Sequence, residues 1–263
     1  MHALPMAAPA NIDVWLAFYN EIDDRSLLAK YRELLTEDER AQQLRFYFPD
    51  DRQRYLITRA LVRTVLSKYL PPAPAEWRFT ANPYGRPMIA NTEFRDCGVC
   101  FNISHARGLI ALAISSHREI GVDVENIAAR EVSLDIADHF FAPTEVAALA
   151  GVPPDRQQDR FFEYWTFKES YIKARGMGLS IPLEQFSFHF VDERSVDLTV
   201  QPELGDDGSR WRFWQFRPTA EHLLALCAER RDATAPTLTL RKAVPLISDT
   251  ELQLPLLKAS ARW

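Results

Sequence analysis

The chain has 263 residues, of which 47% are hydrophobic and 25% are charged, and its formal net charge is −5. This composition is typical of a globular protein with enough apolar side chains for one large core or two small ones. The acidic balance argues against nucleic acid as the main partner, since a protein that follows a phosphate backbone is normally basic. No run of about 18 apolar residues occurs, so we expect no membrane-spanning helix.

Cysteine number and the first residues bear on location. Three cysteines, an odd number, do not indicate a disulfide framework, and we expect a reducing compartment. Residues 1–11 contain no basic segment and are interrupted by Pro5 and Pro9, so we expect no signal peptide. The sequence therefore predicts a cytoplasmic protein.

The first half of the chain predicts three helices followed by short strands. A strand is expected over 12–19 and a helix over 26–35, and Thr36-Glu-Asp-Glu39 has the capping-box pattern that begins another helix. A long helix is expected over 50–69, ended by Pro71 and Pro72. Strands are then predicted at 77–80, 87–89, 99–103, 109–115 and 120–125.

The second half repeats this order of elements. Helices are predicted at 134–140, 143–150 and 155–175, and the last of them is ended by Gly176 and Gly178. Strands are predicted at 186–191, 196–200, 211–216, 223–229 and 237–244. Each half is thus a long helix followed by an antiparallel meander, although the two halves share no obvious residue pattern.

Two short motifs predict a cluster of carboxylates. In Gly121-Val-Asp-Val-Glu125 the strand period of two puts Asp123 and Glu125 on one face. In Trp165-Thr-Phe-Lys-Glu-Ser-Tyr-Ile-Lys173 the helical period puts Glu169 and Lys173 on one face. Taken singly, each pair is more often solvated surface, the second a surface ion pair. If the helix crosses the end of the strand, however, three carboxylates converge.

Such a cluster requires a cation. Two unit charges about 4 Å apart repel by roughly 4 kcal/mol at an effective dielectric constant near 20. An all-oxygen set of ligands favours Mg²⁺, which keeps positions open for water and for phosphate oxygens. The spacing therefore predicts a magnesium site formed by Asp123, Glu125 and Glu169.

Other polar residues favour an anionic substrate. Six arginines lie between positions 40 and 63 against Asp50 and Asp51, which is either a solvated helix face or an anion-binding wall. Ser104 and His105 are adjacent and point oppositely in an extended segment, so they cannot form a nucleophilic Ser–His pair. Opposite an anion, His105 is a candidate donor to phosphate.

Four motifs together resemble those of Sfp-type phosphopantetheinyl transferases. The strand and helix motifs match that family's G-[IV]-D-x-E and [WF]-[ST]-x-K-E-[SA]-x-x-K patterns. Upstream, Phe101-Asn-Ile-Ser-His105 is similar to its F-N-[IL]-S-H turn, and Tyr84-Gly-Arg-Pro87 to its Y-G-[KR]-P segment. The four motifs occur in the family's order and span residues 84–173.

The resemblance implies an α+β fold with a pseudo-twofold arrangement of two similar subdomains. Each subdomain would be a long helix packed on an antiparallel sheet, with the active site in the cleft between them. Residues 1–126 would carry the basic CoA-binding helix and the F-N-I-S-H turn. Residues 127–263 would carry the W-T-F-K-E-S-Y-I-K helix, and the two subdomains would pack as one globular unit.

The resemblance also implies the reaction. Coenzyme A (CoA) would give its phosphopantetheine arm to a serine of an apo acyl or peptidyl carrier protein, releasing adenosine 3′,5′-bisphosphate. Glu169, or a water that it orients, would take the serine proton, and Lys173 would stabilise the leaving phosphate. Mg²⁺, with Mn²⁺ left open, would be the metal. The residues expected to contact CoA are Arg45, Arg86, Ser104, His105, Lys168 and Lys173. We expect a monomer without nucleic acid or membrane partners.

The sequence departs from the family pattern at one place and leaves several alternatives open. Family members often carry lysines before the R-F-Y segment, where this chain has Glu39, Gln42 and Gln43, so Arg40 or Arg45 would have to compensate at the nucleotide end. An acidic carrier helix would need an apolar or basic patch, and the aromatic residues 46–48 are candidates for such a patch or for the core. The carrier could belong to fatty-acid, polyketide or nonribosomal-peptide biosynthesis. A non-catalytic CoA or carrier binder and a Mg²⁺-dependent phosphohydrolase are the alternative functions.

Overall fold

The computed structural model describes residues 11–129, 132, 136–231 and 235–260 and shows a mixed α+β fold. The expectation about a signal peptide therefore concerns residues almost entirely outside the described ranges, as does the start of the helix predicted over 134–140. Within the described ranges, no helix combines the length and the apolar character needed to cross a bilayer. All three cysteines are free.

From residue 11 to residue 129, the structure describes a strand followed by three α-helices and five more strands. In chain order these elements are β1 (Asn11–Ala17), α1 (Arg25–Leu34), α2 (Glu37–Arg45), α3 (Pro49–Tyr69), β2 (Phe79–Ala81), β3 (Pro87–Ile89), β4 (Val99–Ala106), β5 (Leu109–Ser116) and β6 (Ile120–Asn126). The predicted capping box is confirmed, because the Thr36 side chain accepts from the Glu39 N–H while the Glu39 carboxylate accepts from the Thr36 N–H.

In the described residues of the second half, three α-helices are followed by seven strands. These are α4 (Ala137–Phe140), α5 (Pro143–Ala150), α6 (Pro154–Arg175), β7 (Phe186–Phe190), β8 (Ser195–Val200), β9 (Trp211–Thr219), β10 (His222–Glu229), β11 (Thr237–Val244), β12 (Ser248–Leu252) and β13 (Leu256–Ser260). The sequence did not predict β12 and β13, which are short and carry few buried positions.

The strands form two larger sheets and one small hairpin. The five-stranded sheet has the order β12-β11-β1-β5-β4, the six-stranded sheet has the order β6-β10-β9-β13-β8-β7, and β2 pairs with β3. The prediction of purely antiparallel sheets is wrong at two places, because β1 runs parallel to β11 and β8 runs parallel to β13. Both pairs join segments distant in sequence, so no tight turn imposes the antiparallel direction.

Sheet membership crosses the predicted subdomain boundary at residue 126. Strand β6 belongs to the six-stranded sheet, while β11 and β12 complete the five-stranded sheet. The division into residues 1–126 and 127–263 stays a prediction, and the strands on either side of it are interleaved.

Among the described residues, the buried apolar side chains form three clusters, and each cluster lies between two layers of helices or sheets. Helix α3 packs on one face of the five-stranded sheet through residues such as Leu61 and Trp15. Helix α6 packs on the six-stranded sheet through residues such as Phe167 and Phe213. The third cluster contains side chains of β1 and β5 together with side chains of β6 and β10, so the two sheets also pack on each other. Side chains alternate between faces in a strand, which lets one sheet serve two layers.

The contact between α6 and β6 is unusually close at Gly121. A Cβ atom at this position would lie 2.0 Å from the carbonyl oxygen of Ser170 and 2.4 Å from the backbone nitrogen of Ala174. Only glycine therefore permits the helix backbone to lie against the strand. The helix ends at Gly176, which adopts a left-handed conformation with φ 66° and donates to the carbonyls of Ile172 and Lys173.

We predict that Gly121→Ala destabilises the protein by about 1–3 kcal/mol or more, because the added methyl group would overlap backbone atoms that cannot rotate away. Urea unfolding followed by circular dichroism measures this change. Gly151→Ala is the matched control, since its nearest atoms lie 3.5 and 3.8 Å from the added Cβ. Equal unfolding midpoints for the two variants would contradict the close approach.

Candidate active site

A pocket of about 580 Å³ lies where α6 crosses β6. Helix α6 contributes Glu169 and Lys173, which are one turn apart, and strand β6 contributes Asp123 and Glu125. Helix α3 and strand β4 form the other walls. The structure thus brings together the carboxylates and the lysine that the two sequence motifs predicted on common faces.

Polar side chains of β4 hold β6 in place. The Val122 N–H donates to Asn102 Oδ1 at 2.9 Å, and the Val124 N–H donates to Ser104 Oγ at 3.2 Å. Strands β4 and β6 belong to different sheets, so these side chains take the place of a backbone ladder. The F-N-I-S-H segment therefore positions the strand that carries Asp123.

Asp123 is held in the pocket by two hydrogen bonds. Its Oδ1 accepts hydrogen bonds from Ser104 Oγ at 2.9 Å and from Lys173 Nζ at 2.6 Å. Lys173 also donates to Ser104 Oγ at 2.8 Å, so the three side chains form a closed triangle. The other carboxylate oxygen of Asp123 is buried and has no hydrogen-bond partner. A buried polar atom of this kind is rare and normally bonds to something.

Glu169 lies in a strongly negative environment. Burial, and after it the nearby charges of Asp123 and Glu125, raise the pKa of Glu169 to about 7, with Lys173 opposing them. Glu125 accepts a hydrogen bond at 3.0 Å from the indole of Trp165, which lies one turn before Glu169. Burial and like charge thus disfavour the ionised form of Glu169, and a further cation beside it would favour that form.

The donor set fits a divalent metal, although it does not form a complete site by itself. Among the described residues, no group of three or more His, Cys, Asp or Glu side chains is arranged to hold a metal ion. The three predicted ligands do line one pocket, and one buried oxygen of Asp123 has no hydrogen-bond partner that would occupy it. Carboxylate oxygens are the ligands that Mg²⁺ prefers. A metal here would compete with Lys173 for Asp123.

The wall formed by α3 carries two of the six clustered arginines. Arg54 and Arg59 line the pocket together with Asp51, Tyr55 and Thr58. Arg54 and Arg59 were not singled out from the sequence, although the spacing i, i+3, i+4, i+7 and i+8 places all five residues on one helix face. Arg54 pairs with Asp51 at 2.6 Å, and the Arg59 guanidinium lies over the Tyr55 ring at 5.1 Å.

His105 also lines this pocket, with an exposed side chain. Surrounding protein atoms that displace water, together with the positive charge of Arg54, lower the pKa of His105. A neutral imidazole still donates one hydrogen bond, so His105 can bind a phosphate oxygen without carrying charge.

Three predicted CoA contacts, Arg45, Arg86 and Lys168, do not line this pocket. Arg45 is exposed at the end of α2 and donates to Gln42. Arg86 lines a neighbouring pocket of about 640 Å³, where it donates to Glu119 at 2.9 Å and to the carbonyls of Ala174 and Ile120. Arg86 therefore fastens the β2–β3 turn to the end of α6 and the start of β6.

Lys168 is a core residue in the structure. It is fully buried, and its ammonium donates to Glu145 at 2.6 Å and to the Phe186 carbonyl at 2.8 Å. Burial lowers the pKa of Lys168, while the Glu145 carboxylate opposes that shift. A contact between Lys168 and CoA would require these bonds to break. Lys168 precedes Glu169 by one residue, which turns its side chain about 100° away from the pocket face.

We predict that Lys168→Met lowers the free energy of unfolding by roughly 3–5 kcal/mol, because it leaves the Glu145 carboxylate buried without its charge partner. Denaturant unfolding checks the size of the loss. Lys242→Met is the control, since Lys242 pairs with Glu21 at the surface and should cost under about 1 kcal/mol. A Lys168 variant with parental stability and weakened CoA binding would restore the ligand-contact interpretation.

Comparisons with known proteins agree with the motifs. A family model described as the 4′-phosphopantetheinyl transferase superfamily matches residues 119–227, and one described as 4′-phosphopantetheinyl transferase, N-terminal, matches residues 24–117. A 4′-phosphopantetheinyl transferase of Bacillus subtilis is 35% identical over 210 residues, covering 80% of this chain and 87% of the relative. Sfp of Bacillus subtilis strain 168 is 32% identical over 203 residues, covering 77% and 86%. HetI of a Nostoc species is 34% identical over 168 residues, covering 64% of this chain and 70% of the relative.

With matching family models in both halves and relatives aligned over most of their length, this chain belongs to the 4′-phosphopantetheinyl transferase superfamily and is a transferase of the Sfp type.

Proposed function

We propose that the protein transfers the phosphopantetheine arm of CoA to a serine of an apo acyl or peptidyl carrier protein. The observation that carries this proposal is the triangle of Asp123, Ser104 and Lys173 beside Glu169 in one pocket. The names of the relatives, which are phosphopantetheinyl transferases, support it.

In the proposed reaction the serine oxygen forms a bond to the phosphorus that carries the pantetheine arm. The bond from that phosphorus to the bridging oxygen of the diphosphate breaks, and adenosine 3′,5′-bisphosphate leaves with the electron pair. Glu169, or a water that it orients, takes the serine proton, because its carboxyl group lies in the pocket beside Asp123, whose own carboxylate is already paired with Lys173 at 2.6 Å.

Lys173 would stabilise the negative charge that grows on the leaving phosphate. Asp123 and Ser104 hold its ammonium before substrate arrives, so little reorganisation is needed in the transition state. His105, Arg54 and Arg59 would bind the phosphates of CoA from the opposite wall. Arg45 remains a predicted CoA contact, whereas the hydrogen bonds of Arg86 and Lys168 favour a positioning role for both.

Asp123, Glu125 and Glu169 would hold the metal. When bound, Mg²⁺, or Mn²⁺ in its place, would neutralise the diphosphate and polarise its oxygens. The partnerless oxygen of Asp123 supports this assignment. The negative charges of Asp123 and Glu125 beside Glu169 support it as well, because they contribute, after burial, to the raised pKa of that carboxyl group.

We further propose the pseudo-twofold arrangement, with the active site in the cleft between the halves. Its support is that α3 and α6 each pack on one of the two larger sheets and each line the pocket. The acidic net charge and the free cysteines support a cytoplasmic protein without a nucleic-acid partner. We expect it to act as a monomer.

Intact-mass analysis of apo carriers tests the proposed function. Carriers from fatty-acid, polyketide and nonribosomal-peptide systems are incubated with CoA, Mg²⁺ and the purified protein. We expect at least one carrier to gain one phosphopantetheine, and a carrier with alanine at the modified serine to gain none. Release of phosphopantetheine without a carrier would identify a phosphohydrolase instead. CoA binding with no change in any mass would identify a non-catalytic binder.

We predict that CoA raises the melting temperature more in the presence of Mg²⁺ than in EDTA. The diphosphate and the pocket carboxylates repel each other without a bridging cation, and a ligand stabilises the folded state by mass action. Thermal unfolding with and without CoA measures both shifts. In Asp123→Asn the extra shift due to Mg²⁺ should be lost, whereas Asp155→Asn, an exposed position on the same helix as Glu169, should retain it. Equal shifts with and without Mg²⁺ would remove the metal from the proposal.

A further inference from the structure

Three large apolar side chains are exposed where α2 meets α3. Leu44, Tyr47 and Phe48 have exposed fractions of 70%, 84% and 61%. The rings of Tyr47 and Phe48 meet edge to face with their centroids 5.0 Å apart. We call these three residues the junction patch. Contiguous apolar side chains held in solvent cost free energy and commonly mark an interaction surface.

The backbone beneath the junction patch is firmly held. Phe46, between Leu44 and Tyr47, is half-buried, and its ring lies 5.4 Å from that of Tyr55. The Phe46 carbonyl accepts a hydrogen bond of 2.7 Å from Arg52 Nε, which closes the bend between the helices. Pro49 begins α3 and fixes the chain direction there. A surface already ordered in this way loses little entropy when a partner binds.

Positive charge surrounds the junction patch. Arg45 and Arg52 are both exposed, and neither has a carboxylate partner in the part of the chain that the structure describes. The nearest acids are already engaged, because Asp51 pairs with Arg54 at 2.6 Å and Asp50 accepts from the Tyr19 hydroxyl at 2.8 Å. The chain as a whole has a net charge of −5, whereas the surface around the junction patch is positively charged. An apolar centre with a basic rim complements a partner segment that has an apolar face and acidic flanks.

The junction patch is continuous with the candidate active site. Phe46, which lies between Leu44 and Tyr47 in the chain, and Asp51, three residues after Phe48, both line the pocket that contains Asp123, Glu169 and Lys173. A partner seated on Tyr47 and Phe48 would therefore lie beside residues of the pocket wall. A second copy of the chain or a lipid surface could cover the aromatic side chains, but neither would need to present a side chain to that pocket.

We propose that the junction patch is the docking surface for the acidic segment of the apo carrier protein that carries the modified serine. This inference rests on the proposed function. Tyr47 and Phe48 act as the apolar anchors, as aromatic residues often do at the centre of an interface. Arg45 and Arg52 select for acidic partners and speed their encounter.

Calorimetric titration with non-reactive carriers tests the docking surface separately from catalysis. Each carrier has alanine in place of the modified serine, and no CoA is present. We expect Tyr47→Ser/Phe48→Ser to weaken carrier binding by about tenfold or more, with unchanged melting temperature and unchanged CoA binding. Leu246→Ser/Ile247→Ser removes two side chains that are 46% and 64% exposed at a distant turn, and should bind carrier as the parental protein does. Parental affinity should also fall as salt is added.

The outcomes separate the two proposals. If the parental protein binds no carrier, or if the Tyr47/Phe48 variant binds as tightly as the parental protein, the docking surface is wrong. Loss of self-association or of binding to anionic lipid vesicles in that variant, with carrier binding intact, would assign the patch to a second copy or to a membrane. If the parental protein binds carrier through the patch but transfers nothing from CoA, the docking surface stands and the proposed function fails.

Discussion

The close approach of α6 to β6 at Gly121 is the contact on which the candidate site depends. Because a side chain at this position would overlap the backbone at Ser170 and Ala174, the helix lies directly against the strand. The residues on either side of that contact are then brought together: Lys173 reaches Asp123 at 2.6 Å. A wider separation, such as any larger residue would impose, would move the ammonium group and Glu169 away from the strand carboxylates. A packing constraint in the core thus sets the geometry of the polar groups at its edge.

Once the helix and strand are fixed, electrostatics gives the pocket its character. Carboxyl groups from two elements face each other in partly buried surroundings, and one oxygen of Asp123 has no partner. Lys173 and Ser104 offset part of the repulsion and desolvation by donating hydrogen bonds to Asp123, and Ser104 also accepts the hydrogen bond that joins β4 to β6. Such an arrangement is unfavourable for stability by itself. It is understandable if the pocket binds a cation and an anionic substrate together, as a phosphopantetheinyl transferase would require.

Local periodicity explains which parts could be predicted from the sequence. The long helices, the capping box at Thr36 and the common faces of Asp123 with Glu125 and of Glu169 with Lys173 all follow from periods of two and 3.6 residues. The strand at 237–244 was predicted, but its parallel pairing with β1 was not, and β13 was not predicted at all, because parallel pairing between distant segments leaves no local signal. The burial of Lys168 against Glu145 could not be predicted either, because Glu145 lies on another helix and a contact between distant residues leaves no local signal in the sequence. Helical spacing places Arg54 and Arg59 on one face of α3. Whether that face is solvated or forms a pocket wall depends on the strands that lie opposite it, and their position cannot be read from the sequence.

The central claim is that Asp123 and Lys173 act as one unit in the transfer of phosphopantetheine. A double-mutant cycle on the transfer rate tests it most directly, with Asp123→Asn, Lys173→Met and the double variant compared at saturating CoA and Mg²⁺ by intact-mass analysis of the carrier. Groups that act together give strongly non-additive losses. The account predicts that the double variant is no slower than the slower single variant. If the two losses multiply, the residues work independently and the account of this pocket is wrong.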